Sequence, residues 1–369
     1  MPTATAGFFR TFCVSSWGGA DSLTLSMAYS SWLMAMADGS FTTHLLPSAI
    51  GSQRLTGERV KEHARSLGFD ACGIAPAVAH PELGFFREWL DRGYAGDMTY
   101  LHRSAERRAD VRNVLPTARS VIVTATVYNT DRPYSTECAD PSRAQIARYA
   151  WGDDYHDVIG ERLERLLAWM REHSQEPFDA RAYVDTGPVQ ERVYAQHAGL
   201  GWIGKNTCVI HPRLGSWIFL AEIICSLPLE VDAPSLDQCG TCTLCIEACP
   251  TGALVGPGVL DSTRCVSYLT IELRGDIPPE QHAGIGSRVY GCDVCQEVCP
   301  WNAVAPHSAD PAWQPRPAWD RVDLLTLAER KDDDLTAAMR GSAMRRTKAQ
   351  GLRRNVEIAL DNVKTTKGH

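Results

Sequence analysis

Closely spaced cysteines are the residues of this chain whose types and spacing most directly indicate chemistry. Eight of the thirteen cysteines lie between positions 239 and 299. The first run is Cys239-x2-Cys242-x2-Cys245-x3-Cys249-Pro250. The second run is Cys292-x2-Cys295-x3-Cys299-Pro300. Thiolates at x2 spacing reach three corners of one cubane, and the x3-Cys-Pro step sends the fourth toward a neighbouring cluster. Two four-cysteine zinc sites would need paired CxxC motifs instead. The spacing therefore predicts two [4Fe–4S] clusters and transfer of single electrons.

Crossed ligation assigns a cysteine to every position of both clusters. The first cluster takes three cysteines of the first run and the last cysteine of the second run: Cys239, Cys242, Cys245 and Cys299. The second cluster takes the other cysteines of the runs: Cys249, Cys292 and Cys295. It lacks one ligand, because Val289 stands where the second run would have its leading cysteine. Cys265, isolated between the runs, is predicted to complete the second cluster.

Charge is distributed unevenly along the chain. The net charge is −7, yet residues 340–369 contain eight Lys/Arg and two acidic residues, a local +6 that leaves −13 elsewhere. A basic segment on an acidic body favours a polyanionic partner. On charge alone, a solvated charged helix end explains the segment equally well.

The first fifty residues contain few charged side chains, namely Arg10, Asp21 and Asp38. They lack a basic start followed by an apolar block and cleavage site, and they lack a twin-arginine pair. We expect residues 1–52 to be a poorly ordered extension, with Met36 a candidate alternative start. No stretch of the sequence approaches the roughly 20 apolar residues of a membrane span. Iron–sulfur clusters and free thiols favour a reducing compartment, so we expect a cytoplasmic protein with no membrane partner.

Helical and strand patterns alternate before the cysteines and predict an α/β or α+β domain. Helices are predicted at 56–67, 82–92, 153–173 and 190–198. Strands are predicted at 69–76, 118–128, 181–186 and 216–226. The third strand delivers Asp185 to its end, just before Gly187-Pro188. A glycine-rich loop follows at 199–206, and a helical pattern starts at Leu324. The predicted domains are 53–228, 229–310 for the clusters, and a basic helical tail at 311–369.

Several motifs in order resemble the epoxyqueuosine reductase family. They are 147–156 (ARYAWGDDYH), 184–188 (VDTGP), 199–206 (GLGWIGKN), 264–270 (RCVSYLT), 290–300 (YGCDVCQEVCP) and 341–355 (GSAMRRTKAQGLRRN). The resemblance covers roughly 53–362. It implies an α/β cobalamin-binding domain related to that of reductive dehalogenases, which binds cobalamin base-off, followed by a two-[4Fe–4S] ferredoxin-like domain.

The resemblance also implies two-electron reduction of the epoxide of epoxyqueuosine at the tRNA wobble base, with the oxygen leaving as water. The expected partners are this tRNA and a flavodoxin or ferredoxin-type electron donor, and the expected state is a monomer.

The resemblance also implies roles for individual residues. Asp185 matches the proposed proton donor, a role that suits a carboxyl kept protonated by an apolar pocket. Capping of the following helix is the alternative. Further cobalamin contacts are expected from Arg108, Asn206 and Ser267. Lys205 and His156 are candidates for contacts in the same site, with an exposed turn residue and a histidine of the helix-cap region as the respective alternatives. Family members with a cysteine near cobalt carry it near 147–148, where this chain has Ala and Arg.

Binding of tRNA is expected to use phosphate contacts of the basic tail: Arg345, Arg346, Lys348, Arg353 and Arg354. Selectivity would come from a flipped-out base, for which Trp151 and Trp202 are possible stacking platforms, although core packing is the commoner role of such residues. Two other functions stay open at this point. One is a reductive dehalogenase-like enzyme acting on a small organohalide, and the other is a non-catalytic electron-transfer subunit.

Overall fold

A four-stranded antiparallel sheet organises the N-terminal half of the described chain. The computed structural model describes residues 54–138 and 140–367, so the predicted extension at 1–52 lies outside the described residues. The sheet has the order β1-β2-β7-β4. Its strands are β1 (Ala71–Pro76), β2 (Ser120–Val127), β4 (Ala180–Tyr183) and β7 (Ile218–Cys225). Short two-residue and three-residue strands form three further pairs: β3 (Gln145–Ile146) with β10 (Arg288–Tyr290), β5 (Trp202–Ile203) with β6 (Val209–Ile210), and β8 (Leu254–Gly256) with β9 (Val259–Leu260).

Helices surround this sheet and the cysteine runs. Those of the N-terminal half are α1 (Gly57–Ser66), α2 (Phe85–Asp91), α3 (Thr99–Arg103), α4 (Ala105–Arg108), α5 (Tyr155–His173) and α6 (Glu191–His197). Those of the C-terminal half are α7 (Leu244–Glu247), α8 (Val266–Ile271), α9 (Pro279–Ile285), α10 (Val294–Glu297), α11 (Leu324–Glu329), α12 (Asp332–Met339) and α13 (Lys348–Lys367). None of the helices in the described part combines the length and apolar character that a bilayer-spanning segment requires.

Both faces of the sheet are covered, which makes the N-terminal half a three-layer α/β structure and confirms the predicted class. Every residue of β2 is buried, as expected for its β-branched sequence. Alternate strand side chains such as Ile122 and Ile223 face α1 and α5, and the intervening ones such as Val121 and Ile224 face α6. Full burial of each of these side chains stabilises the fold by about 1.5–3 kcal/mol.

The third predicted strand is shorter than the sequence indicates. The strand β4 ends at Tyr183, and Asp185 follows it in a turn with φ of 58°. This left-handed conformation is uncommon for residues other than glycine, although aspartate tolerates it better than most. Asp185 therefore projects from the turn that precedes α6 rather than from the strand itself.

The C-terminal segment is helical as predicted, but it does not behave as a tail. Leu324, Met344 and Leu352 are buried in one core with Ile146 and Tyr290, which belong to the β3–β10 pair. Helices α11–α13 therefore help to build the wall behind the second cysteine run. The predicted basic tail at 311–369 is thus packed on the rest of the described chain, because the apolar faces of these helices cover that core.

Asn355 anchors α13 to the segments that flank two cluster cysteines. Its side chain is fully buried, and Nδ2 donates to the carbonyls of Thr270 and Val289, each at 2.8 Å. Thr270 belongs to α8, which directly follows Cys265, and Val289 belongs to β10, shortly before Cys292. Replacing Asn355 with alanine therefore leaves buried carbonyls short of a donor and opens a cavity.

We predict that Asn355→Ala lowers the free energy of unfolding by about 2–3 kcal/mol, because buried acceptors lose their donor. Lys364→Ala on the same helix is the matched control. It removes a pair with Asp361 in which both side chains are 74% exposed, and we expect a change below about 0.5 kcal/mol. Thermal or denaturant unfolding followed by circular dichroism measures both. Equal stability of the two variants would contradict the anchoring role.

Candidate active site and cluster sites

The first set of predicted ligands borders one small cavity of about 40 Å³: Cys239, Cys242, Cys245 and Cys299. Cys299 thus joins the three cysteines of the first run, as crossed ligation requires. Leu244, which is 47% exposed, and Pro300 lie at the same cavity, so it opens near the surface. Trp202 Nε1 approaches Cys239 Sγ at 3.4 Å from the inner side. The donor set fits a cubane cluster, whose assembly requires these thiols as thiolates.

The second set of predicted ligands consists of four half-buried cysteines: Cys249, Cys265, Cys292 and Cys295. Burial raises the pKa of Cys292 to about 12 and also raises the pKa values of Cys265 and Cys295. Cys265 is close enough to Cys249 and Cys292 for their charges to act on one another. Val289 stands at the position where the second run lacks a cysteine, and its side chain is buried in the C-terminal core. Among the described residues, no three His, Cys, Asp or Glu side chains converge as a site for a single metal ion.

A cavity of about 1190 Å³ lies against the end of the sheet. It exceeds the roughly 300–1,000 Å³ of ordinary small-molecule sites. Its wall combines the Asp185 turn, the start of α5, the aromatic side chain of Tyr100 and the C-terminal Arg345 and Arg346. Ser262 and Ile271 also line it, and they flank the segment that carries Cys265. The second cluster site is therefore a neighbour of this cavity, and the space and mixed lining fit a large polar cofactor together with a substrate.

Asp185 is held at this cavity by contacts on both of its sides. Its carboxylate is 61% exposed, and that exposed surface faces the cavity. Oδ2 accepts a hydrogen bond from the Tyr155 hydroxyl at 3.0 Å and lies 3.5 Å from His156 Nε2. The Asp185 backbone N–H donates to Glu191 Oε1 at 2.8 Å. The carboxylate does not cap α6, so the capping alternative is wrong. Instead, Glu191 at the start of α6 holds the Asp185 backbone.

His156 joins Asp185 to a buried carboxylate. Its Nδ1 lies 2.7 Å from Asp154 Oδ1, and Asp154 also caps α5. Burial would lower the pKa of His156, but the hydrogen bonds to Asp154 and Asp185 outweigh it and raise that pKa to about 9. Burial would likewise raise the pKa of Asp185, but His156 outweighs it and lowers that pKa. Asp185 is therefore ionised beside a protonated His156. The expectation that an apolar pocket keeps Asp185 protonated is not supported by these contacts, because the neighbouring imidazolium favours the carboxylate.

Not every predicted cobalamin contact lies at the large cavity. Arg108 lines it, with Nη1 donating to the Val189 carbonyl at 2.6 Å. Asn206 instead bridges the cluster loops, since Nδ2 donates to the Cys295 carbonyl at 3.2 Å. Lys205 Nζ donates to the carbonyls of Gly240 and Cys242 beside the first cavity. Ser267 lies on α8, two residues after Cys265, and is absent from the lining of the large cavity.

The predicted phosphate-binding residues fall into two groups. Arg345 is 70% exposed at the cavity, Arg346 is 51% exposed and paired with Glu272, and Lys348 is exposed. Arg353 pairs with Asp332 and donates to two carbonyls, one in α11 and one just after its end. Arg354 donates to three carbonyls between residues 269 and 275. The guanidinium groups of Arg353 and Arg354 are thus engaged inside the protein. The prediction that they contact phosphate is not supported by this geometry.

The two tryptophans considered as stacking platforms have structural roles. Trp202 is 1% exposed and directs its N–H at Cys239. Trp151 Nε1 donates to the Ile146 carbonyl at 2.7 Å, and the Arg148 guanidinium lies 4.5 Å from its ring centroid. Core packing is therefore the role that the structure supports for both.

Two acidic residues at the site were missed by the sequence analysis. Glu191 lines the cavity, and Glu222 lies behind it on β7. Glu222 is the one acidic residue in the apolar strand sequence SWIFLAEIICS, and that was the available signal. A carboxyl group inside a buried strand requires a partner or a proton.

Comparison with known families agrees with this geometry. Residues 238–302 match a family model described as a 4Fe-4S double cluster binding domain, which defines the chain as a double-cluster iron–sulfur protein. Residues 108–186 match the model for epoxyqueuosine reductase QueG (DUF1730). The epoxyqueuosine reductase of Gloeobacter violaceus is 46% identical over 319 residues, covering 83% of this chain and 96% of that protein. The Vibrio cholerae enzyme is 40% identical, covering 82% of each chain. The chain belongs to the epoxyqueuosine reductase family.

Solved structures of the same family share the fold. An epoxyqueuosine reductase crystallised with an epoxyqueuosine-modified tRNA-Tyr stem loop superposes with a TM-score of 0.75 at 33% identity, covering 83% of this chain and 81% of that one. The Bacillus subtilis enzyme, with its catalytic aspartate loop swung out of the active site, has a TM-score of 0.73 at 32% identity and covers 84% and 82%.

We predict that Cys265→Ser removes one of the two clusters, lowering bound iron from about eight to about four atoms per chain. Cys208→Ser is the matched control, because Cys208 is half-buried near Cys245, Cys295 and Cys299 but is left over by the ligand assignment. Iron and sulfide analysis after anaerobic purification measures both variants. Loss of iron from Cys208→Ser, with full iron in Cys265→Ser, would overturn the assignment of the eighth ligand.

Proposed function

We propose that this protein reduces epoxyqueuosine to queuosine at the wobble position of tRNA. The observation that carries the proposal is the large cavity, which places an acid–base group, a neighbouring cluster site and exposed arginines around one space. Membership of the family gives the substrate. Cobalamin bound in this cavity would supply the low-potential centre that passes electrons to the epoxide. The reaction consumes two electrons and two protons, converts the epoxide carbons to an alkene and releases the oxygen as water.

The proposed proton delivery runs through Asp185. Its carboxylate is aimed into the cavity, and His156 beside it carries the proton in the resting state. As negative charge develops on the epoxide oxygen, that proton would move from His156 through Asp185 to the oxygen. Tyr155 and the Glu191 bond to the Asp185 backbone N–H hold the carboxylate in place. Asp154 stabilises the imidazolium from the other side.

The proposed electron path enters at the first cluster and leaves at the second. The first cluster site opens near the surface, where a flavodoxin or ferredoxin-type donor can approach it. The second adjoins the large cavity through the Cys265 segment, whose flanking residues Ser262 and Ile271 line that cavity. Residues of a single chain form both sites and the cavity, so a monomer suffices. We assign the reaction to the cytoplasm because its tRNA substrate is found there.

The proposed tRNA contact is made by Arg345 and Arg346 at the cavity and by the exposed Lys348, two residues further along the chain. Phosphate contacts there would hold the anticodon loop, and an extruded base would enter the space beside Asp185. Arg346 already pairs with Glu272, so phosphate binding at Arg346 competes with an internal ion pair. Arg345 lies 3.7 Å from Asp154 with a largely exposed side chain and is the freer of the two.

We predict that Asp185→Asn lowers conversion of epoxyqueuosine-containing tRNA by about 10²–10⁴-fold, the contribution typical of a general acid. Mass spectrometry of nucleosides from the treated tRNA follows the loss of one oxygen. Asp153→Asn is the control, because Asp153 is half-exposed and pairs with Arg316. Its iron content, tRNA affinity and turnover should equal those of the wild type. Wild-type turnover by Asp185→Asn would remove Asp185 from the mechanism, and no conversion by the wild type would refute the proposed function.

We predict that replacing Arg345 and Arg346 together with alanine weakens tRNA binding and reduces the slope of log affinity against log salt by about 1.4–1.8, as expected for two lost phosphate contacts. Arg171→Ala is the control, because Arg171 is exposed near the far end of the 19-residue helix α5, roughly 25 Å from its start at the cavity. Binding assays at several salt concentrations measure both. An unchanged slope in the double variant would place tRNA elsewhere.

A further inference from the structure

Glu222 is a buried carboxyl group without an N–H or O–H donor. It lies on β7, is 0% exposed and faces the α6 side of the sheet between Ala221 and Ile223, which face the other side. No side-chain or backbone donor among the described residues bonds either of its oxygens. The group within hydrogen-bonding reach is another carboxyl, that of Glu191 at the start of α6. Two buried carboxylates in this position would repel each other, whereas one shared proton gives each of them a hydrogen-bond partner.

Burial favours retention of that proton, whereas the surrounding charges act in both directions. Asp185, which is ionised, faces Glu191 from the turn, while the guanidinium groups of Arg192 and Arg108 act on the pair from α6 and α4. Burial, and next the charge of Asp185, raise the pKa of Glu191 to about 7. Burial, and next the charge of Glu191, raise the pKa of Glu222 well above its ordinary value. At neutral pH the pair therefore holds at least one proton.

The pair also adjoins the site. Glu191 lines the large cavity, and its Oε1 accepts the Asp185 backbone N–H at 2.8 Å. Glu222 lies behind it, with no exposure to the solvent. On the other side of Asp185, His156 Nε2 lies 3.5 Å from the carboxylate. Asp185 is thus flanked by two groups that each hold a proton, the His156 imidazolium and the Glu191–Glu222 pair.

We propose that the Glu191–Glu222 pair is an internal proton store that supplies the second of the two protons consumed in the reduction. The proposal rests on the proposed function. With the first electron, one carbon–oxygen bond of the epoxide opens as the first proton passes from His156 through Asp185 to the oxygen, which leaves a hydroxyl group on the ring. The pair then gives its proton to the Asp185 carboxylate. Both carboxylates of the pair are then ionised near Arg192 and Arg108 until solvent in the cavity, which Glu191 lines, returns a proton. Asp185 donates it to that hydroxyl, the second carbon–oxygen bond breaks with the second electron, and water leaves as the alkene forms. Two electrons and two protons are thereby consumed.

Glu222→Gln tests the store, because the amide keeps the size and can still donate to Glu191 while holding no transferable proton. Infrared spectroscopy of the purified protein should show the carbonyl stretch of a neutral carboxyl that titrates near neutral pH in the wild type. This band should be absent from Glu222→Gln and retained in Glu82→Gln. Glu82 pairs with His197 outside the cavity and serves as the matched control. Turnover of Glu222→Gln at neutral pH should fall by roughly tenfold or more, toward the lower range of general-acid effects, with tRNA affinity unchanged.

Absence of the band from the wild type, or wild-type turnover of Glu222→Gln across pH 6–8, would overturn the proton store while leaving the reductase function intact. Conversely, the band could disappear in Glu222→Gln while the wild-type protein never converts epoxyqueuosine. That result would refute the proposed function and leave the shared proton in place. Glu191→Gln provides a second variant should Glu222→Gln fail to fold. It should lose the neutral-pH titration and show the same fall in turnover.

Discussion

The crossing of thiolates between two cysteine runs is the constraint on which the rest of this structure depends. Cys299 has to return to the first run, and Cys249 has to reach the second, so both loops are drawn together. The same loops then hold the catalytic segment. Asp293, between two cysteines of the second run, accepts the Arg148 backbone N–H at 2.6 Å. Arg148 begins the turn that leads to Asp154, Tyr155 and the start of α5, so the geometry of the cluster loop sets the position of His156.

Burial raises the pKa of a carboxyl group and a neighbouring positive charge lowers it. The balance of these two effects differs among the carboxyl groups around the cavity. Asp185 is close to the imidazolium of His156 and is ionised. At Glu191 and Glu222 burial outweighs the neighbouring positive charges, so the pair keeps a proton. Carboxyls on neighbouring elements can thus have opposite protonation states within one site.

Sequence alone predicted what is encoded in local spacing. The cysteine intervals predict the ligand sets. The β-branched and apolar sequences around Val121 and Ile223 predict the buried strands. The protonation state of Asp185 could not be predicted, because it depends on contact with His156. That residue lies on a helix that begins 30 residues before Asp185 in the chain. The roles of Arg353 and Arg354 were misjudged for a similar reason. Their positive charge is visible in the sequence, but their partners lie on other elements. Arg353 is held by Asp332 and by carbonyls of α11 and its end, and Arg354 by carbonyls of α8 and the loop after it. The shared proton of Glu191 and Glu222 likewise arises from contact between α6 and β7.

The central claim is that electrons held by the two clusters reduce an epoxide in the adjoining cavity. Stopped-flow absorbance can follow the clusters of the pre-reduced, cofactor-loaded protein after mixing with the modified tRNA stem loop in the absence of other reductant. Quenched samples analysed by mass spectrometry give the product over the same interval. The account predicts that cluster reoxidation and product formation proceed together, with both clusters consumed for each queuosine formed. Product formation with the clusters still reduced, or reoxidation without product, would contradict it.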